Sequence, residues 1–183
     1  MNNKGFSLAE LMVAIFIAGL IISLTSGYYI LLKNIYQKTD NRAEIIQNGR
    51  VILDRMVREI RQSPKISTEL PTDPSINAPN ELQFQDGHEI SEIKYIRYFL
   101  EDNTLKRQVI VYYFGDNPGD YTYQDAIDQN QNPPIQDIID EKLIGEYVTD
   151  IEFWGNKIIN INLYLSQNKE NKIFFTSVFG RNL

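Results

Sequence analysis

The sequence predicts an α+β protein in which one long N-terminal helix, apolar and then amphipathic, packs against an antiparallel β-sheet head. That class rests on an uncharged run from 11 to 32, a proline-free stretch of helical period from Lys33 to Ser63, and strand-period alternation after Pro79. The 183 residues, 43% of them hydrophobic, supply one domain with a proper core plus an accessory element. The chain contains no cysteine, which excludes a disulfide framework and a thiolate metal site.

The first element is a membrane span. Residues 11 to 32 carry no charged side chain, and at about 1.5 Å per residue a helix of that length crosses the hydrocarbon of a bilayer. A cleavable secretory signal would place a small-residue site after the apolar run, and Ser23 to Gly27 offers no compelling one. Basic residues do not orient the span, because Lys4 precedes it while Lys33, Lys38 and Arg42 follow.

The helix is expected to continue beyond the membrane. Ile45, Gly49, Ile52, Leu53, Met56 and Ile60 recur at helical spacing, and Arg55 and Glu59 stand four apart on a polar face. Ser63-Pro64 ends it, since the residue before proline is pushed out of the helical region. A helix from Ser7 to Gln62 would run about 84 Å.

The head follows an irregular connector, "KISTELPTDPSINAPN". "ELQFQDG" reads as a short strand into a turn, and "IKYIRYFLEDNTLKRQVIVYYF" as two strands joined through Glu101 to Thr104. In "KIININLYL", Ile159, Ile161, Leu163 and Leu165 alternate with polar or aromatic residues, the period of a strand with one buried face. "NKIFFTSVFG" is apolar on both faces. Residues 115–137 show no periodicity and read as a long loop.

Candidate chemistry is sparse. Asp116, Asp120, Asp125 and Asp128 in that loop invite a calcium reading, but their spacing fits no EF-hand and scattered loop acids are mostly just solvated, so binding of a partner subunit is the better reading of the loop than calcium. The single histidine, His88, adjoins Gly87 in a turn, and neither a G-x-S-x-G nor an H-E-x-x-H pattern occurs. No enzyme, no metal and no cofactor is therefore expected. Residues 64 to 183 hold 10 basic against 19 acidic side chains, a poor match to nucleic acid phosphates.

One residue does stand out. Glu10 opens the apolar run, and a carboxylate toward the bilayer interior costs about 2.5 to 3.5 kcal/mol on insertion scales, so it needs a partner or a function. Its setting, "KGFSLAEL", resembles the processing site of type IV prepilins and pseudopilins: a basic residue (Lys4), glycine (Gly5), an aromatic new N-terminus (Phe6) and glutamate as its fifth residue (Glu10). The resemblance implies that a prepilin peptidase cuts between Gly5 and Phe6 on the cytoplasmic side and methylates the Phe6 amine. It further implies that Glu10 reaches the amine of a neighbouring subunit in a filament of staggered helices.

The implied organisation is a leader at 1–5, a transmembrane half-helix at 6–32, an amphipathic half-helix at 33–63 and a pilin-like β-rich head at 64–183, with the head outside the cytoplasm. "GRVILDRMVREIRQSP", "IKYIRYFLEDNTLKRQ" and "FFTSVFGRNL" resemble the minor pilin group that includes J-type pseudopilins of type II secretion and W-type minor pilins. Glu10 argues against the K-type tip pseudopilin, which usually lacks that acid. Major pilins often carry a proline where Gly27 falls, and this chain departs from them there. The resemblance implies a low-copy subunit at the tip or in initiation of a filament with other major and minor pilins as partners. An anchored ligand-binding or adhesin protein outside any filament shares the helix and head, but has no need of the leader motif.

Overall fold

The computed structural model describes residues 7–75, 77–88, 92–168 and 170–180. One helix is followed by eight strands: α1 (Leu8–Gln62), β1 (Glu81–Gln85), β2 (Lys94–Glu101), β3 (Thr104–Phe114), β4 (Asn117–Tyr121), β5 (Ile135–Gly145), β6 (Val148–Gly155), β7 (Ile158–Gln167) and β8 (Glu170–Phe179). The chain divides into two units, Met1–Ala43 and Glu44–Leu183.

In the first unit, α1 is long and apolar enough to cross a membrane, and the apolar window is wholly unburied within the subunit. Leu8, Phe16 and Leu24 are 76%, 67% and 73% exposed. In water such a surface would drive association, and in a bilayer it is the matched one. Within it the Thr25 hydroxyl donates to the Ile21 carbonyl at 2.9 Å, so that hydroxyl presents no unpaired donor to lipid.

In the second unit, the predicted helical stripe is the buried one. Ile45, Gly49, Ile52, Met56 and Ile60 are the buried residues of α1, and Leu53 packs half-buried beside them. Each fully buried isoleucine or methionine contributes about 1.5 to 3 kcal/mol relative to exposure. α1 ends at Gln62, where Ser63 N–H donates to the Ile60 carbonyl and the Ser63 hydroxyl to the Lys65 carbonyl.

The sequence reading expects one sheet, whereas the strands divide into two. The first runs β1-β2-β3, with β4 and β5 both pairing β3, and the second is the meander β6-β7-β8. Every pairing is antiparallel. Both sheets turn one face to α1, so Phe84, Ile96 and Tyr98 of the first share a core with Phe153, Ile161 and Leu163 of the second. The connector joins the sheets: the Pro79 and Pro71 carbonyls accept from Phe153 and Gly155 of β6, while Ser67 and Thr68 N–H groups donate to Gln83 of β1. Proline keeps these carbonyls while shaping irregular backbone.

The β2–β3 hairpin closes through Asp102 and Asn103, both at positive φ (47° and 59°), the geometry of a two-residue primed turn. Ile159, Ile161, Leu163 and Leu165 of β7 are all buried, as their alternation predicts. β8 differs from its doubly apolar reading. Val178 is buried and Phe174 half-buried, but Ile173, Phe175 and Phe179 face solvent.

The expected loop of residues 115–137 is a shorter one, because β4 occupies 117–121 and β5 begins at Ile135. Residues 122–125 lie across the outer face of the first sheet. Thr122 N–H donates to the Tyr112 carbonyl, Gln124 N–H to the Tyr95 hydroxyl, and Gln83 Nε2 to Gln124 Oε1 at 2.8 Å. A second small core of Tyr95, Ile110 and Tyr112 lies there, with the rings of Tyr95 and Tyr112 edge to face at 5.2 Å.

One polar cluster sits inside the helix–sheet contact. The Glu59 carboxylate of α1 accepts from Arg107 Nε at 2.9 Å and from the Tyr98 hydroxyl at 2.7 Å, with Arg55 Nε at 3.4 Å. The Glu59 and Arg107 side chains are each only 11% exposed. Burial, then the Glu59 charge, push the Tyr98 phenol far above its ordinary range. The cluster fixes which turn of α1 faces β2 and β3.

Candidate assembly site at the helix start

α1 begins at Leu8 because Ser7 caps it. Ser7 N–H donates to Glu10 Oε2 at 2.9 Å, and Glu10 N–H donates to Ser7 Oγ at 3.3 Å. Leu11 N–H meanwhile bonds the Ser7 carbonyl at 3.2 Å. This is a capping box of the form S-x-x-E, in which two orphan donors of the first turn are satisfied reciprocally.

The Glu10 carboxylate therefore has an acceptor role within its own chain. Its negative charge also lies at the positive end of the helix dipole. One oxygen holds the Ser7 amide, and a carboxylate retains further lone pairs for a second donor. Chemically the arrangement presents an anion, oriented by its own backbone, at the start of an apolar helix.

Of the residues singled out from sequence, Glu10 lies here, while Lys4, Gly5 and Phe6 lie outside the described residues. Ser7 is the residue the sequence reading omits. Its signal was the spacing Ser7-Leu8-Ala9-Glu10, directly before the apolar run.

The four loop aspartates do not converge. Asp125 meets Lys65 Nζ at 3.0 Å, Asp120 accepts from the Asn117 amide, and Asp128 accepts from the backbone of Asn130 and Asn132 at 2.8 and 2.7 Å. His88 is half-exposed and pairs with Asp86 at 2.6 Å.

A family profile described as the prokaryotic N-terminal methylation motif matches residues 1–26. The match covers the segment "KGFSLAEL" with its capping box and most of the uncharged run. No curated protein and no solved structure matches the chain.

Proposed function

We propose, from the premise that this is a type IV prepilin-type protein, that it serves as a minor pilin or pseudopilin, a low-copy subunit at the tip or in initiation of a type IV pilus or type II secretion-like filament. The observation that carries the reading is the continuity of α1. The methylation motif opens a helix whose first part is apolar and unburied and whose residues from Ile45 onward pack into a folded head. The role is structural rather than catalytic.

In this reading a prepilin peptidase removes residues 1–5 by cutting between Gly5 and Phe6, guided by Lys4, and methylates the Phe6 amine. Residues 6–32 stay in the cytoplasmic membrane, 33–63 continue the helix outside it, and 64–183 form the head beyond the cytoplasm. Glu10 then accepts from the amine of a neighbouring subunit. Pairing a charged amine with a carboxylate in a dry setting offsets the cost of holding either group there. The partners are the other major and minor pilins of a mixed filament.

Intact mass of the protein recovered from its native host is the test. Loss of Met1 to Gly5, with or without one methyl group, is the expected result. An intact leader or a cut near Gly27 overturns the reading.

A further inference from the structure

A cleft of about 420 Å³ opens where the β2–β3 turn of the first sheet meets the β5–β6 turn and the end of β7. Backbone bonds between these segments fix its walls. Val148 N–H donates to the Asn103 carbonyl at 3.0 Å, and Ser166 N–H to the Tyr147 carbonyl at 2.9 Å. Preformed clefts of this volume, with a few placed polar groups and an aromatic ring, are the usual sites of small ligands.

The cleft is rich in acceptors and poor in donors. The lining hydroxyls of Thr104, Thr149 and Ser166 donate within the chain, to the Glu101 carbonyl, the Tyr164 carbonyl and Asn171 Oδ1, so each has only lone pairs left to offer. Among the described residues, the side chains of Asp102, Asn103, Glu146 and Tyr147 make no hydrogen bond or ion pair with the rest of the chain. Tyr147 is also held at φ 63°, a left-handed backbone that asparagine enters readily and a bulky aromatic rarely does. Its ring is half-buried and its hydroxyl has no partner in the chain, so the strained position gains no internal bond from carrying a tyrosine. Strain held at a cleft residue points to a side chain kept for a ligand.

We infer that this cleft binds an uncharged saccharide, whose hydroxyls donate to Asp102, Glu146 and the three committed hydroxyl oxygens while its C–H face lies on the Tyr147 ring. Bonds from a hydroxyl to a carboxylate are charge-assisted and stronger than neutral ones. An anion is disfavoured, since no lining residue is basic and two are acidic. A metal ion is disfavoured as well, because the described residues hold no group of three His, Asp or Glu able to bind one. A simple ammonium ion also brings donors, but Asp102 and Glu146 are exposed, so solvent screens their attraction for it, and the hydroxyl acceptors stay unused. Such a site works within the head, however the helix is processed or assembled.

The test titrates the full chain, in a sugar-free polyoxyethylene detergent, with the methyl glycosides of glucose, galactose, mannose and N-acetylglucosamine, and with n-butylammonium chloride as the rival. Amide signals of Asn103, Tyr147, Thr149 and Ser166 are expected to shift saturably with at least one glycoside at about 1–10 mM, the range reached by a ligand of about a dozen heavy atoms. Those of β1 should stay fixed. Tyr147→Asn accepts the left-handed backbone, so the β1 signals should show a folded head while the affinity falls by about tenfold or more. Asp102→Asn combined with Glu146→Gln changes two exposed side chains and should weaken binding in the same way without disturbing the fold. No shift with any glycoside up to about 100 mM, saturable shifts with n-butylammonium alone, shifts scattered over the head, or an affinity indifferent to both variants overturns the inference.

Discussion

Phe174 of β8 fills the notch that Gly49 leaves on α1. A Cβ built on Gly49 would lie 2.6 Å from ring carbon Cε2 of Phe174 and 2.7 Å from Cζ. The glycine is thus a packing device inside a helix, where it otherwise costs about 1 kcal/mol relative to alanine.

Gly49→Ala should therefore destabilise the head despite its better helix propensity. Overpacking of about 1–3 kcal/mol exceeds or cancels the propensity gain. The net loss should be up to about 2 kcal/mol in urea unfolding of the full chain in detergent. Adding Phe174→Leu should restore much of it, because the smaller side chain clears the notch. Stabilisation by Gly49→Ala alone would show that the ring moves aside freely.

Breaking the buried pair at the helix–sheet contact should cost more. Glu59→Ala leaves the Arg107 guanidinium, 11% exposed, without its main partner, and removing one member of a buried pair typically costs about 3–5 kcal/mol. Replacing both, as Glu59→Leu with Arg107→Met, should cost clearly less than Glu59→Ala. A double variant as unstable as the single one would mean that the cluster is not acting as a charge pair.

The first turn of α1 separates two roles of one carboxylate. Glutamine is also accepted at the fourth position of a capping box, so Glu10→Gln keeps the bond from Ser7 N–H but removes the charge. Ser7→Ala removes the other half of the box, at a cost of about 0.5–2 kcal/mol of helix-end stability. On the assembly reading, Glu10→Gln should yield a processed protein depleted from sheared filaments, while Ser7→Ala should still be incorporated. Equal incorporation of Glu10→Gln and wild type would assign the carboxylate to capping alone.

Acid should loosen the strap at residues 122–132 before it unfolds the head. The Lys65 hydrogen bond and charge hold Asp125 below its ordinary range, and the Asn132 backbone bond does the same for Asp128. Carboxyls whose folded values are depressed contribute stability above their unfolded value, near 3.8, and lose it as pH falls through the folded one. Amide signals of Gln124 to Asn132 should broaden or shift below about pH 4 while those of β7 stay fixed. Asp125→Asn should reproduce the loosening around residues 123–126 at neutral pH.

Regular elements with a single dominant face were legible in the sequence, and irregular ones were not. The buried stripe of α1 from Ile45 to Ile60 and the alternation of β7 follow from periodicity, because one face meets the core throughout each of these stretches. β4 reads "NPGDY", which propensity rejects as a strand, and it forms only by pairing beside the register shift at Tyr113 and Phe114 of β3. β5 is hidden for another reason. Two register shifts break its alternation, and both of its faces are largely exposed, so neither pattern nor burial marks it. At the helix start Glu10 was legible as an exceptional carboxylate, but its bond to Ser7 required the capping spacing to be read as well.

The order of the strands has a kinetic side. Among the described strands, β6, β7 and β8 pair only with their sequence neighbours, as do β1 and β2, and the β2–β3 turn is just Asp102 and Asn103. Contacts between near neighbours in sequence close small loops, and chains rich in them fold quickly for β proteins. Each meander can therefore take shape as its own stretch of chain becomes available, before the other is complete. What must wait is the addition of β5 to β3, the joining of the two sheets through Pro71 and Pro79 and the seating of Arg107 against Glu59, 48 residues away. The contacts that close last in this order are thus those that bring finished hairpins onto one another, onto β5 and onto the helix.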